Sequence, residues 1–314
     1  MSTAVASISA SGQDVPPPSF LARLRILAAD IKLAHSIFAM PFAILAAFMA
    51  RDPATSWGRF AAQLTIVILC MIFARTWAML INRLADRRFD ADNPRTTRRA
   101  LAAGSISATF GRAAAIITAV GFIAAAALFM FFGNVWPIML SVPVLAWIAL
   151  YSFTKRFTPM CHLFLGGALA VSPLAAAIAI RPEALIDTPA LYWLAAMVLV
   201  WVAGFDIIYA LQDIDADRRQ KLFSIPSRLG PATAITISRL LHTLAFAALI
   251  LASLTEPRFG LIFAVGVGLV GLLLIAEHAI LARRGRAGLS MAFFTINGIV
   301  SCILGAVGIA DIML

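Results

Sequence analysis

Long apolar runs separated by short polar breaks fill the chain from residue 31 to its end. They fall at about 31–50, 59–82, 108–131, 134–152, 160–180, 189–212, 232–254, 258–282 and 289–313. Each is near the roughly 20 residues an α-helix needs to cross hydrocarbon. The pattern predicts an all-α, polytopic membrane bundle of about nine transmembrane helices. Residues 1–25 are expected to be a disordered cytoplasmic tail and residues 26–314 a single transmembrane domain. The start is small and polar, with Pro16-Pro17-Pro18, and resembles neither a signal peptide nor an Arg-rich transit peptide.

Composition sharpens this. With 62% hydrophobic and 13% charged residues, a soluble globular protein is excluded. The net charge of +10 is unevenly placed. Arg23, Arg25, Lys32, the cluster from Arg83 to Arg112, Lys155, Arg156, Arg218 to Arg228, Arg283, Arg284 and Arg286 all fall on one side. Only Arg51, Arg59, Arg181 and Arg258 fall on the other. The positive-inside bias predicts a cytoplasmic N-terminus and, with nine spans, a periplasmic C-terminus in a bacterial inner membrane. Basic residues at helix ends are explained by topology and anionic membrane lipid, and no nucleic-acid partner is expected. Cys70, Cys161 and Cys302 are lone and widely spaced, which suits core packing and no metal or redox pair.

One motif is written twice. Residues 82–90 read NRLADRRFD and residues 213–221 read DIDADRRQK, each where an apolar run ends. Asn82, Asp86 and Asp90 are spaced by four, as are Asp213 and Asp217, and residues spaced by four share a helix face. Clustered carboxylate and amide oxygens suit Mg²⁺, which binds through one or two carboxylates together with substrate phosphates. The plain alternative for the first copy is a solvated helix end whose Asp residues pair with Arg87 and Arg88. Asp215 points elsewhere. The longer connections after the motifs, 83–107 and 213–231, read as caps over a cytoplasmic mouth. Their placement after the second and sixth helices suggests an internal duplication.

Other polar residues stand out against the apolar runs. Arg75 and Asp206 each lie seven residues before a motif, inside a span, where ionisable groups face bundle interiors and mark cavities. Arg75 would hold an anionic acceptor or a phosphate, or pair with Asp206. In YSFTKRF (151–157), Tyr151 and Lys155 are four apart; Lys155 is either a phosphate contact or a topology anchor. Arg95, Arg98 and Arg99 supply guanidinium forks. His35, with Lys32 and Ser36, begins the first span, as an interfacial hydrogen-bonder or a base. Glu277 reads as a snorkelling partner of Arg283, and His162, His242 and His278 as structural.

Together, NRLADRRFDADNPRTTRRALAAGSIS, YSFTKRF and YALQDIDADRRQKLFSIPSRLG resemble the UbiA superfamily of intramembrane aromatic prenyltransferases, over residues 31 to about 310. Asn82, Asp86, Asp90, Asp213 and Asp217 match its two motifs; Arg83 stands where the first motif usually has a second Asp. That departure resembles the 4-hydroxybenzoate polyprenyltransferase-like subgroup, which includes members similar to the menaquinone enzyme. The resemblance implies a nine-helix bundle around a cavity open to the cytoplasm and to lipid. It implies a polyprenyl diphosphate and an aromatic acid as small-molecule substrates. The acid would be 4-hydroxybenzoate, for ubiquinone, or 1,4-dihydroxy-6-naphthoate, for menaquinone. Mg²⁺ would sit on the five motif residues. Lys155, Tyr151 and Arg99 would act on the leaving diphosphate, and Arg75, His35, Arg95 and Asp206 would bind substrate. A transporter would show midplane charges and inverted repeats, whereas here the charges gather at one mouth.

Overall fold

The computed structural model describes residues 19–31, 38–289 and 291–314, so the candidate His35 lies outside the described residues. The chain runs through α1 (Phe20–Asp30), α2 (Met40–Ala50), α3 (Trp57–Ala91), α4 (Ala108–Ala127), α5 (Trp136–Thr154), α6 (Cys161–Ile180) and the single turn α7 (Ala184–Asp187). It continues through α8 (Ala190–Ala210), α9 (Ile214–Arg219), α10 (Ile225–Leu229), α11 (Pro231–Thr255), α12 (Leu261–Arg284) and α13 (Asn297–Met313). No strand occurs among the described residues. Among the described residues eight helices are long and apolar enough to cross a membrane, and α2 is a shorter ninth apolar helix.

Local chemistry sets the boundaries. Ser56 and Ser107 cap α3 and α4 by accepting from Arg59 and Phe110 backbone N–H groups. Gly133, at φ 78°, ends the 3₁₀ extension of α4, a conformation that costs glycine nothing. Ser224 and Ser227 form a reciprocal capping box on α10.

The 35 residues of α3 span about 52 Å, well beyond the roughly 30 Å of hydrocarbon. Its last turns therefore project past the membrane core as helix, carrying the first Asp motif with its four-residue spacing intact. The second motif differs from expectation. Leu211–Asp213 is a 3₁₀ turn and α9 restarts at Ile214, so Asp213 and Asp217 straddle a break in the helix.

α8 is the axis of the bundle: 72% of its most apolar stretch is buried, against 22% for α5. Trp201 on α8 meets Phe42 and Phe205 edge-on, at 5.6 and 5.0 Å between ring centres. A Cβ at Gly166 of α6 would collide with the Leu199 backbone carbonyl of α8, so glycine there permits the close approach of the two helices.

At the end opposite the motifs, Arg181 and Arg258 donate to the Ala50 and Met49 carbonyls, and Arg59 to Phe132. These arginines hold loops together, as the sparse charge on that side allows.

Several expectations need correction. Residues 20–25, placed in the tail, form the first turns of α1, because Ser19 caps the helix and Leu27 packs into the bundle. Glu277 does not snorkel: it is fully buried and accepts from Asn297 at 3.1 Å. Trp201 Nε1 in turn donates to Asn297, and His242 and His278 lie 3.1 Å apart beside Glu277. Cys302 is exposed on α13 rather than packed in a core.

Candidate active site

Both Asp motifs, the 92–107 connection and the end of α5 meet at one mouth of the bundle. On α3, Asn82 Nδ2 donates to Asp86 Oδ2 at 3.1 Å. Asp86 also accepts from Arg156 Nη2 at 3.1 Å, and the same nitrogen reaches the Ala85 carbonyl. Asp90 accepts from Arg99 at 2.7 and 2.9 Å. Arg87 and Arg88 are exposed, so the local pairing considered for the first motif does not form.

The second motif is paired in the same way. Arg95 places Nε and Nη2 on the two oxygens of Asp213, at 2.9 and 2.6 Å, and Nη1 on the Tyr209 hydroxyl at 3.0 Å. Asn93 adds a fourth contact, to Asp213 Oδ1. Lys155 Nζ lies 2.6 Å from Asp217 Oδ1, while Ser224 donates to Asp217 Oδ2 at 2.8 Å. Burial disfavours the Lys155 ammonium, but Asp217 outweighs that and raises its pKa above the ordinary lysine value. For Arg95, burial is likewise outweighed by Asp213, with the same upward direction. Asp215 is exposed, unlike the buried Asp213 and Asp217 on either side of it.

Four motif carboxylates thus meet four cations: Arg156, Arg99, Arg95 and Lys155. The halves are tied by Gln220, which donates to the Phe89 carbonyl at 2.7 Å, and by the Phe223 N–H, which donates to the Lys155 carbonyl.

Among the described residues no three His, Cys, Asp or Glu side chains converge as a ready-made metal cage. Unneutralised carboxylates repel, and here each has turned to an Arg or Lys. The donor set still fits Mg²⁺, a hard cation that takes one or two carboxylates and completes its shell with water and phosphate oxygens. The four cations have matching chemistry for the phosphates.

Below the mouth an elongated cavity of about 350 Å³ runs between α2, α3, α4, α5 and α6. Arg75 and Tyr151 line its mouth side and Phe129, Pro137 and Ala179 its far end; the wall between is mostly Ala, Val, Leu, Ile and Met. Along α6 the lining runs from Leu165 to Ala179, about 21 Å of helix. Such a chamber accepts a linear hydrocarbon and keeps it from water. Arg75 has its Nε buried without a hydrogen-bond partner, and no ion pair joins it to Asp206. Asp206 instead accepts from His162 Nδ1 at 2.7 Å, and His162 Nε2 accepts the Ile225 N–H, which fixes the tautomer by the bonds each nitrogen makes. Asp206 is absent from the cavity lining.

The structure brings Asn82, Asp86, Asp90, Asp213, Asp217, Arg95, Arg99 and Lys155 into one cluster, and Arg75 and Tyr151 into the cavity beneath. Sequence alone gives no site role to Arg156, Asn93 or Ser224, nor to His162, whose sequence reading is structural. Arg156 stood beside Lys155 in YSFTKRF, and the other three are ordinary polar residues whose roles depend on long-range folding.

A membrane-embedded helical bundle, with an acidic and basic mouth above a hydrocarbon-lined chamber, defines the class: an intramembrane enzyme for amphiphilic phosphate substrates. The chain belongs to the UbiA prenyltransferase family, which it matches over residues 39–299. It is 34% identical to a 4-hydroxybenzoate octaprenyltransferase of Nitrosomonas europaea, over 83% of this chain and 87% of that one. A 4-hydroxybenzoate octaprenyltransferase of Chromohalobacter salexigens is 28% identical over 91% and 93% of the two chains. The apo structure of a UbiA homolog from Aeropyrum pernix K1 superposes with a TM-score of 0.79 at 34% identity, covering 90% of this chain and 99% of that one. A UbiA homolog from Archaeoglobus fulgidus, solved with GPP and Mg²⁺, shares the fold with a TM-score of 0.64 at 20% identity, covering 93% and 99%.

Proposed function

We propose that this protein moves a polyprenyl group from its diphosphate onto the ring of 4-hydroxybenzoate, with Mg²⁺ as cofactor. The single observation that carries the reading is the mouth itself: four motif carboxylates, each held by a cation, directly above a hydrocarbon-lined chamber. The relatives named for octaprenyl transfer to 4-hydroxybenzoate support the choice of acceptor.

Mg²⁺, held through Asp86, Asp90, Asp213 and Asp217, would neutralise the diphosphate and make it a better leaving group. Asn82, read from the sequence as a fifth ligand, turns its oxygen to Arg83 and its nitrogen to Asp86 and so holds a ligand instead. Lys155, Arg99, Arg95 and Arg156 exchange their carboxylate partners for phosphate oxygens and stabilise charge as it develops there. Tyr151 and Arg75 stand where the mouth meets the chamber, next to the allylic carbon. Arg75, with an unpartnered Nε, orients the acceptor carboxylate. The apolar chamber excludes water, so the allylic cation left by the departing diphosphate is captured by the ring carbon beside the phenol. Loss of the ring proton restores aromaticity. Asp206, held by His162, sits two helical turns before Asp213 and outside the chamber lining, so no substrate contact is assigned to it.

The excess of Arg and Lys around this mouth supports a cytoplasmic N-terminus and active site and a periplasmic C-terminus in a bacterial inner membrane. Purified Asp86→Ala and Asp213→Ala proteins test the reading: each is expected to fold in detergent and to lose essentially all prenyl transfer. Near-normal turnover by either variant in the presence of Mg²⁺ would remove the metal–diphosphate site from the account.

A further inference from the structure

Arg83 sits inside the first Asp motif but makes no contact with any of its carboxylates. It is buried, at 5% exposure, and its guanidinium faces two ways. Nε lies 3.5 Å from Asp30 Oδ2 at the end of α1, and Nη1 donates to Asn82 Oδ1 at 3.0 Å. Asn82 then gives its Nδ2 to Asp86 Oδ2 at 3.1 Å. Four side chains form a line from α1 to the mouth: Asp30, Arg83, Asn82, Asp86.

The chemistry of this line has a direction. An amide has a donor end and an acceptor end. Arg83 has only donors, so it accepts no other orientation of Asn82 than oxygen toward itself and nitrogen toward Asp86. Without the guanidinium, the amide rotates freely and Asp86 loses a dependable donor. Asp30 in turn faces Arg83 as an ion pair at 3.5 Å, and neither Asp30 Oδ2 nor Arg83 Nε has a hydrogen-bond partner, so the hold is electrostatic. α1 brings Asp30 into place because Leu27 and Ile31 are buried against Leu80, Leu101 and Ile106. Carboxylates that ligate metals are themselves held by hydrogen bonds, and such outer partners typically contribute 10–100-fold to metal affinity.

We propose that Arg83 is a positioning residue: pinned by Asp30 of α1, it sets the Asn82 amide that holds Asp86 ready for the cation. The proposal rests on the reading of Asp86 as a metal ligand. It makes α1, outside the membrane-spanning set, part of the active-site machinery.

The test is Mn²⁺ binding with inorganic pyrophosphate, followed by electron paramagnetic resonance on the full chain in detergent. Hydrogen exchange of α1 is measured in parallel. Arg83→Lys keeps a charge for Asp30 but lacks the second nitrogen for Asn82. It is expected to leave α1 protected and weaken Mn²⁺ binding roughly tenfold or more. Arg83→Met alone leaves Asp30 buried and unpaired and can unfold the region. The double variant Asp30→Asn/Arg83→Met removes that orphan charge, and should weaken Mn²⁺ binding as much as Arg83→Lys does. Asp86→Ala serves as reference. Wild-type Mn²⁺ affinity in both Arg83→Lys and the double variant, with binding lost in Asp86→Ala, would overturn the positioning role and leave the metal site standing. Wild-type affinity in Asp86→Ala as well would overturn the metal reading, and this proposal with it.

Discussion

Arg95 grips Asp213 with two parallel N–H groups across 118 residues of sequence. The same guanidinium reaches the Tyr209 hydroxyl and lies 5.3 Å from that ring's centre. The connection after the first motif is thereby fastened onto the second. This contact brings together two acidic clusters that are far apart in the chain, and it places a fork suited to phosphate at their junction.

Replacing Arg95 with Lys keeps the charge and removes the fork. A charge-assisted hydrogen bond contributes about 1.5–3 kcal/mol, so kcat/KM for the polyprenyl diphosphate should fall roughly 10–100-fold. Initial rates at varied diphosphate concentration measure this, and unchanged kinetics would show that Arg95 only staples the connection.

Arg75 predicts a different kinetic signature. Its Nε is buried without a partner at the cavity mouth, so Arg75→Leu should raise KM for the aromatic acid roughly 10–100-fold, from the loss of a charged hydrogen bond. The KM for the diphosphate should stay near wild type. A shift confined to the diphosphate would reassign Arg75 to phosphate binding.

The chamber should be sensitive to volume. Ala176 is buried in its wall, and Ala176→Phe would place a ring in the path of the hydrocarbon. Long polyprenyl diphosphates should lose turnover before short ones do, as read by comparing donors of increasing length. Equal loss for all lengths would place the prenyl chain elsewhere.

Gly166→Ala tests the packing of α6 on α8. The added methyl meets the Leu199 carbonyl, a backbone group that cannot rotate away, and overpacking costs about 1–3 kcal/mol. The thermal midpoint should fall. Gly268→Ala, where nothing lies within 4 Å, is the control and should leave it unchanged or higher.

Hydropathy made the spanning helices legible because a bilayer demands about 20 apolar residues per crossing. It also located the first motif well: α3 simply continues as helix past the core, so the four-residue spacing of Asn82, Asp86 and Asp90 survives. The second motif has the same spacing, yet the helix breaks at Asp213, and spacing alone carries no sign of a 3₁₀ turn. Arg156 and Lys155 are adjacent in sequence but serve different carboxylates, Asp86 and Asp217. Which neighbour reaches which motif depends on how α5 packs. Glu277 departs from expectation for the opposite reason: its position near basic residues suggests snorkelling, whereas it is buried, with one oxygen bonded by Asn297, 20 residues further on, and the other without a hydrogen-bond partner. His162 carries no partner signature in the sequence, and its bond to Asp206 joins two helices that sequence periodicity treats separately.

The most direct measurement is prenyl transfer by the purified protein in detergent, with a polyprenyl diphosphate and either 4-hydroxybenzoate or 1,4-dihydroxy-6-naphthoate, with and without Mg²⁺. Product from 4-hydroxybenzoate is expected, and it should disappear when Mg²⁺ is removed. Product from the naphthoate alone would keep the chemistry and change the acceptor. No product from either acid, or product formed equally well without Mg²⁺, would contradict the central claim.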